Sequence, residues 1–244
     1  MERRILVNYR IDPGTMAGLL PSPFRPTLVG GQALAGICLL RLGAVRPAGL
    51  PRVLGLTMEG AAHRVAVTWD TADGPAQGVY IPRRDTSSRL ATLAGGRAFP
   101  GWHHRARFDV EEAAGRYRIG VTSRDGRIRL TVAAHADPSA EVDLSGSVFG
   151  DLGTASEFFR SAPAGYATTP TDGMFDGVEL ETGAWAMSPV HLDDVSSSFF
   201  DDSRAFPPRT AVLDSAFLME GLPTRWRALP ELRAAEPVRV GTSS

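Results

Sequence analysis

The stretch GRAFPGWHHRARFDV, residues 96–110, holds two of the five histidines and one of the four tryptophans in this 244-residue chain. Histidine changes charge near neutral pH, so it suits proton transfer or metal ligation. Strand alternation divides the pair. Trp102, His104, Ala106, Phe108 and Val110 share one face, which is apolar apart from His104. His103, Arg105, Arg107, Asp109 and Glu111 share the other, polar throughout and predicted to face solvent. The two imidazoles therefore point apart and cannot ligate one metal. His63, His135 and His191 are scattered without HxH or HExxH spacing, so no metal is expected. His104 admits two readings: a core histidine satisfied by hydrogen bonds, or a general acid/base tuned by burial in a pocket.

Other residues could serve such a pocket. Arg97, after a Gly-Gly pair, could offer its guanidinium fork to a substrate carboxylate or close a corner by a salt bridge. Trp69 and Tyr80 could line the cavity with Trp102, or simply be core. In RRDTSSR, Arg83, Arg84 and Arg89 read either as an anion site at a helix start or as a solvated loop. SSSFFDD, residues 196–202, lacks the GxSxG elbow of a serine hydrolase, and Asp201-Asp202 reads as a turn. Phe158-Phe159 and Phe199-Phe200 are each expected to turn one ring inward and one toward a groove or a second copy of the chain.

Composition narrows the chemistry further. All 26 basic residues are arginine and none is lysine, so no side chain can form a Schiff base. A net charge of −1 gives no reason to expect nucleic acid or an anionic membrane as partner. The apolar run Ala33–Leu40 is too short to span a bilayer, and MERRILVNYRIDP has no signal core. Cys38 has no intrachain partner and reads as a small core residue, which fits a cytoplasmic location.

The elements that must position these residues are mostly strands. Ile5–Arg10 alternates, and Asp12-Pro13 opens a helix running to about Leu20. Gln32–Arg41 reads as a buried strand; His63–Asp70 and Gly78–Ile81 read as partners joined through Asp73-Gly74. Asp85 is placed as the cap of a short helix that stops at Gly95-Gly96. Strands are predicted at Arg105–Glu111, Arg116–Ser123, Arg127–Ala134 and Glu141–Leu144, the middle pair turning at Asp125-Gly126. Thr154 and Glu157 form a capping box for a helix to Arg160. Further strands follow at Val178–Met187, Val190–Phe200 and Ala211–Leu218. The expected class is α+β, mostly antiparallel, as one domain over residues 1–230 with a weakly ordered tail at 231–244.

The segment AGGRAFPGWHHR resembles the strand of the acetoacetate decarboxylase family that runs approximately AGREIWGFPKK. On that resemblance Gly96-Arg97 and Gly101-Trp102 match the family's Gly-Arg and Gly-aromatic positions. His104 falls on the Schiff-base lysine and Arg105 on the second lysine that depresses its neighbour's pKa. VNYRIDPGTMAGLLPSPF and GVYIPRRDT are similar to other blocks of that family. TASEFFRSAPAGYATTP, VSSSFFDD and AVLDSAFLMEGLP resemble its YqjF-like branch of unknown function. The resemblance implies a curled sheet, a cone or partial barrel, around a small cavity with helices outside. It does not bring the activity. Both lysines are replaced, and no carboxylate stands beside His63 and Arg64, where the family's glutamate is expected.

Three functions follow as alternatives. The first binds an oxo acid or similar carbonyl compound and acts on it through His104, with Arg97 as anchor, in cofactor-free lyase, isomerase or hydratase chemistry. The second is a binding or sensing protein using the same cavity without chemistry. The third is an interaction scaffold with a filled core.

Overall fold

The computed structural model describes residues 1–45, 55–94, 101–137 and 142–234, with the side chains of 93 and 94 excepted. Arg97 lies outside the described residues. The first half comprises β1 (Arg3–Ile11), α1 (Pro13–Leu19), β2 (Arg25–Pro26), β3 (Leu28–Val29) and β4 (Gln32–Val45). Next come β5 (Leu56–Thr71), β6 (Gly74–Thr86), α2 (Arg89–Ala94), β7 (His103–Ala113), β8 (Arg116–Ser123) and β9 (Arg129–His135). The remainder is α3 (Leu152–Ser161), β10 (Ala164–Thr168), β11 (Met174–Thr182), β12 (Ser188–Pro189), β13 (His191–Ser197), β14 (Ala211–Glu220) and β15 (Thr224–Arg233).

The long strands form one curled, mostly antiparallel sheet in the order β12-β14-β1-β4-β5-β6-β7-β8-β9-β13. β6 is also flanked by parallel partners, pairing with β10 at Val79–Ile81 and with β7 at Arg84–Thr86. Side chains alternate between two apolar clusters, as the two-residue period of a strand requires. Ile5, Val7, Ile37, Val65, Ile119 and Leu130 face an inner cluster. Leu6, Leu34, Ala66 and Phe217 face an outer one, covered by α3 through Ala155, Phe158 and Phe159. Burial on both faces explains why β1 and β4 read as nearly continuous apolar runs.

Gly36 is required where β1 and β4 cross closely, because a Cβ there would overlap the Val7 carbonyl oxygen. Gly36→Ala should lower stability by roughly 1–3 kcal/mol, read as a shift in the denaturant midpoint.

Several boundaries differ from the sequence expectation. Asp12 caps α1 as expected, its Oδ1 accepting from the Thr15 amide at 2.7 Å. Asp85 is not a cap; it lies within β6, buried, and Ser88 Oγ instead accepts from the Ala91 amide at the start of α2. The cap of α3 is Asp151 rather than Thr154: its Oδ1 accepts from the Thr154 amide at 2.9 Å, and Thr154 lies inside the helix. Of the strand expected at Glu141–Leu144, residue 141 lies outside the described residues, and 142–144 pair with no strand among the described residues. Gly165 and Pro230 obscure β10 and β15 in the sequence; β15 shifts register against β11 at Pro230 and resumes pairing to Arg233. None of the four phenylalanines in the two Phe-Phe pairs is exposed: Phe158 and Phe159 pack on Phe149, while Phe199 and Phe200 pack on His63 and Phe206.

Candidate functional site

The parallel seam of β6 and β7 sets Asp85 beside His104, and the antiparallel β5–β6 register sets His63 beside Arg83. A kink in that register, between His63 and Val65, moves Arg83 and Asp85 onto the inner face that Tyr80 occupies lower on the same strand. The β8–β9 hairpin turns at Asp125-Gly126, as the sequence predicts, and its tip folds over this group. Four strands thus converge on one polar cluster in an otherwise apolar wall.

Arg83 is its centre. Nε and one terminal nitrogen grip the Asp85 carboxylate at 2.9 and 2.7 Å, and the fork reaches Asp125 at 2.8 and 3.1 Å. Asp85 is wholly buried, whereas Asp125 is about one-third exposed. Burial opposes the charge on Arg83, but its two carboxylates outweigh this and hold the guanidinium pKa above its ordinary value. The Arg83 fork in turn holds the Asp125 carboxyl well below the usual range, helped by Ser123 Oγ at 2.6 Å and the Arg127 amide.

His104 Nδ1 lies 3.4 Å from Asp125 Oδ2, and its ring packs at 4.8 Å against exposed Trp102. Burial, then the Arg83 charge, lower the imidazole pKa against the pull of Asp85 and Asp125. The ring is therefore neutral at pH 7. Asp125 lies on the Nδ1 side of the ring at an ion-pair separation, which leaves Nε2 on the opposite side.

The alternation argument separates the two histidines correctly, but their surroundings differ from expectation. His103 is not a plain solvent residue. It is half-buried, its Nδ1 is 3.1 Å from the Gly101 carbonyl, and burial with the neighbouring Arg84 charge brings its pKa to about 4. Trp102, expected on the buried side, is exposed. Trp69 and Tyr80 are buried in a separate aromatic group with Phe24, Tyr166 and Phe175, at ring separations of 5.0 to 6.2 Å. Arg83 and Arg84 are not in a solvated loop: both lie on β6, on opposite faces, and Arg89 alone is exposed at the start of α2.

Two further residues belong to the cluster, Asp125 and His63, and neither stands out as a site residue in the sequence. Asp125 was hidden by its strong turn signal. His63 is fully buried, stacks on Phe199 at 4.3 Å, and places Nε2 3.4 Å from Ser197 Oγ. Its Nδ1 has no hydrogen-bond partner among the described residues, and burial lowers its pKa to about 3. Glu59, on the same inner row of β5 as His63, is spent on Arg3 at 2.5 Å and Arg41 at 2.6 Å. Among the described residues no three metal-ligating side chains converge, and no helix is long and apolar enough to cross a membrane.

This architecture is the acetoacetate decarboxylase-like fold. The enduracididine biosynthesis enzyme MppR, solved with pyruvate, superposes with a TM-score of 0.51 at 13% identity, covering 91% of this chain and 87% of MppR. An acetoacetate decarboxylase-like enzyme from Sphingomonas wittichii RW1 gives 0.51 at 16% identity, with 93% and 91% covered. An acetoacetate decarboxylase from Legionella pneumophila gives 0.51 at 12% identity, with 95% and 86% covered. Within that fold, the chain belongs to the DUF2071 family of uncharacterized conserved proteins, whose model matches residues 1–216. No curated protein matches it significantly.

Proposed function

We propose that the protein binds a small oxo acid or similar carbonyl compound at His104 and moves a proton on it. The observation that carries this reading is the His104–Asp125–Arg83 chain, in which a neutral imidazole is oriented by a carboxylate that a buried arginine keeps ionised. Nε2 of His104 takes a proton from the carbon beside the carbonyl, the electron pair moves onto the carbonyl oxygen, and the proton returns from the imidazolium. Trp102 supplies a flat wall beside the ring, and Arg97 is the proposed anchor for the substrate carboxylate. Tyr80 and Trp69 stay in their own aromatic group and form no part of this niche. MppR, which was solved with pyruvate, supports the oxo acid class. With no lysine in the chain, no side-chain imine takes part.

Proton exchange reads this directly. In D2O the protein should catalyse deuterium incorporation beside the carbonyl of pyruvate or 2-oxobutyrate, followed by NMR. His104→Gln should cut the rate by about a hundredfold or more while the unfolding temperature stays nearly unchanged. Asp125→Asn should lower it as well, by releasing the ring. Equal exchange in wild type and His104→Gln would remove the proposal.

A second reading is ligand binding at the same niche without chemistry, for which the flat Trp102 ring beside His104 is the contact surface. Unaltered oxo acid bound at the His104 niche, without exchange, would favour it.

A further inference from the structure

The outer face of the β9–β13 pair carries a second group of charged side chains, which adjoins the His104 cluster through Arg127, whose amide holds Asp125. A groove of about 790 Å³ is lined there by Arg127, Arg129, Ser196, Ser198, Asp201, Asp202 and Arg204. Its three arginines outnumber its two aspartates by one. Arg204 is matched by Asp202, with both nitrogens of its fork at 3.1 Å from the carboxylate. Asp201 is committed to the Ser197 amide at 3.1 Å. Among the described residues no carboxylate pairs with the guanidinium of Arg127 or of Arg129, in a chain whose net charge is −1.

The two arginines are also held in a fixed relation. Ile128 between them is buried, so both project from the same face of an extended segment, about 6–7 Å apart at the backbone. Ser197 is likewise buried between Ser196 and Ser198, which turn their hydroxyls to that side. Ser198 Oγ accepts from the Arg129 amide at 2.9 Å and donates to the Arg127 carbonyl at 3.2 Å, tying the two strands together under the guanidinium pair. Ser198 also returns its own amide to the Arg129 carbonyl at 2.9 Å. Two guanidinium forks with no carboxylate partner among the described residues, on a segment braced by Ser198, make a receptor for two oxyanions on one molecule.

We infer that this groove binds a small dianionic ligand of the dicarboxylate class, one carboxylate on Arg127 and the other on Arg129. The chemistry differs from that of the His104 niche, where both nearby carboxylates are already matched by Arg83.

Thermal unfolding and calorimetric titration with glutarate test the inference. Glutarate has no carbonyl carbon flanked by an acid, so its binding does not depend on any reaction at His104. Wild type should bind it saturably and gain unfolding temperature with concentration. Arg127→Gln with Arg129→Gln should weaken binding by at least about tenfold, and raised salt should weaken it in wild type. Arg129→Lys, which keeps the charge and loses the fork, should fall between. His104→Gln should bind glutarate as wild type does. Absent binding in wild type, equal binding in the double glutamine variant, or loss in His104→Gln would each overturn the inference. So would inorganic phosphate or acetate binding as tightly as glutarate, since a single oxyanion would then suffice. Both arginine side chains are exposed, so the double variant should fold, and its unfolding temperature without ligand checks that.

Discussion

Acidification from pH 7.5 to pH 4.5 should strip roughly 2–3 kcal/mol from the folded protein through His63 alone. In the unfolded chain this imidazole takes its proton near 6.5; in the fold, burial lowers that to about 3. Throughout the interval the unfolded state therefore binds the extra proton, and stability falls as pH falls. His103, at about 4, and His104, also lowered, act in the same direction. Below about pH 4 the depressed Asp125 carboxyl adds its own loss, because the unfolded chain protonates first. Urea titrations at the two pH values isolate the His63 share. His63→Phe keeps a ring against Phe199 and has nothing to protonate. Its stability should decline less over this interval by that amount. Parallel slopes for wild type and variant would show that His63 does not stay neutral in the fold.

Removing the centre of the cluster should cost still more. Arg83→Met leaves Asp85 ionised in a wholly buried position with its fork gone, and Asp125 loses the partner that fixes the hairpin tip. A loss of about 3–5 kcal/mol is expected, the usual result of orphaning one member of a buried pair. For a chain of this length that is a drop of roughly 6–20 °C in unfolding temperature. Arg83→Met combined with Asp85→Leu should recover much of it, since the orphaned charge goes as well. The site responds in a second way: without the guanidinium, the carboxylates act on His104 unopposed and its pKa rises, visible as a shifted NMR titration of the ring. A single variant that unfolds no earlier than wild type would mean that Asp85 is stabilised by something other than Arg83.

These effects depend on contacts that local sequence patterns cannot express. Alternation separated His103 from His104 because side-chain direction is a property of one strand. It misjudged their environments because burial depends on what lies across the seam, here Arg84 and Gly101 against His103. Asp85 looked like a cap since aspartate before Thr-Ser-Ser commonly is one; its true partner, Arg83, is two residues back on the same strand face. Asp125 combined two roles, and the turn signal is local while the salt bridge spans 42 positions. The hairpin β8–β9, the Asp12-Pro13 helix start and the curled antiparallel class were legible because short-range chemistry fixes them. β10, only five residues with a glycine, joins the sheet by parallel pairing to β6, a partner that no alternation can name.

The place of β1 has a consequence for how the chain is made. β1 lies between β4 and β14, with Arg3 opposite Glu220. During synthesis the first strand emerges long before its second neighbour exists, and one apolar edge of it stays uncovered until nearly the whole chain has left the ribosome. The segment that builds the His104 cluster, β5 through β9, can pair within itself much sooner. The part of the molecule that carries the His104 cluster is thus in a position to assemble first, while the open edge of β1 waits on β14.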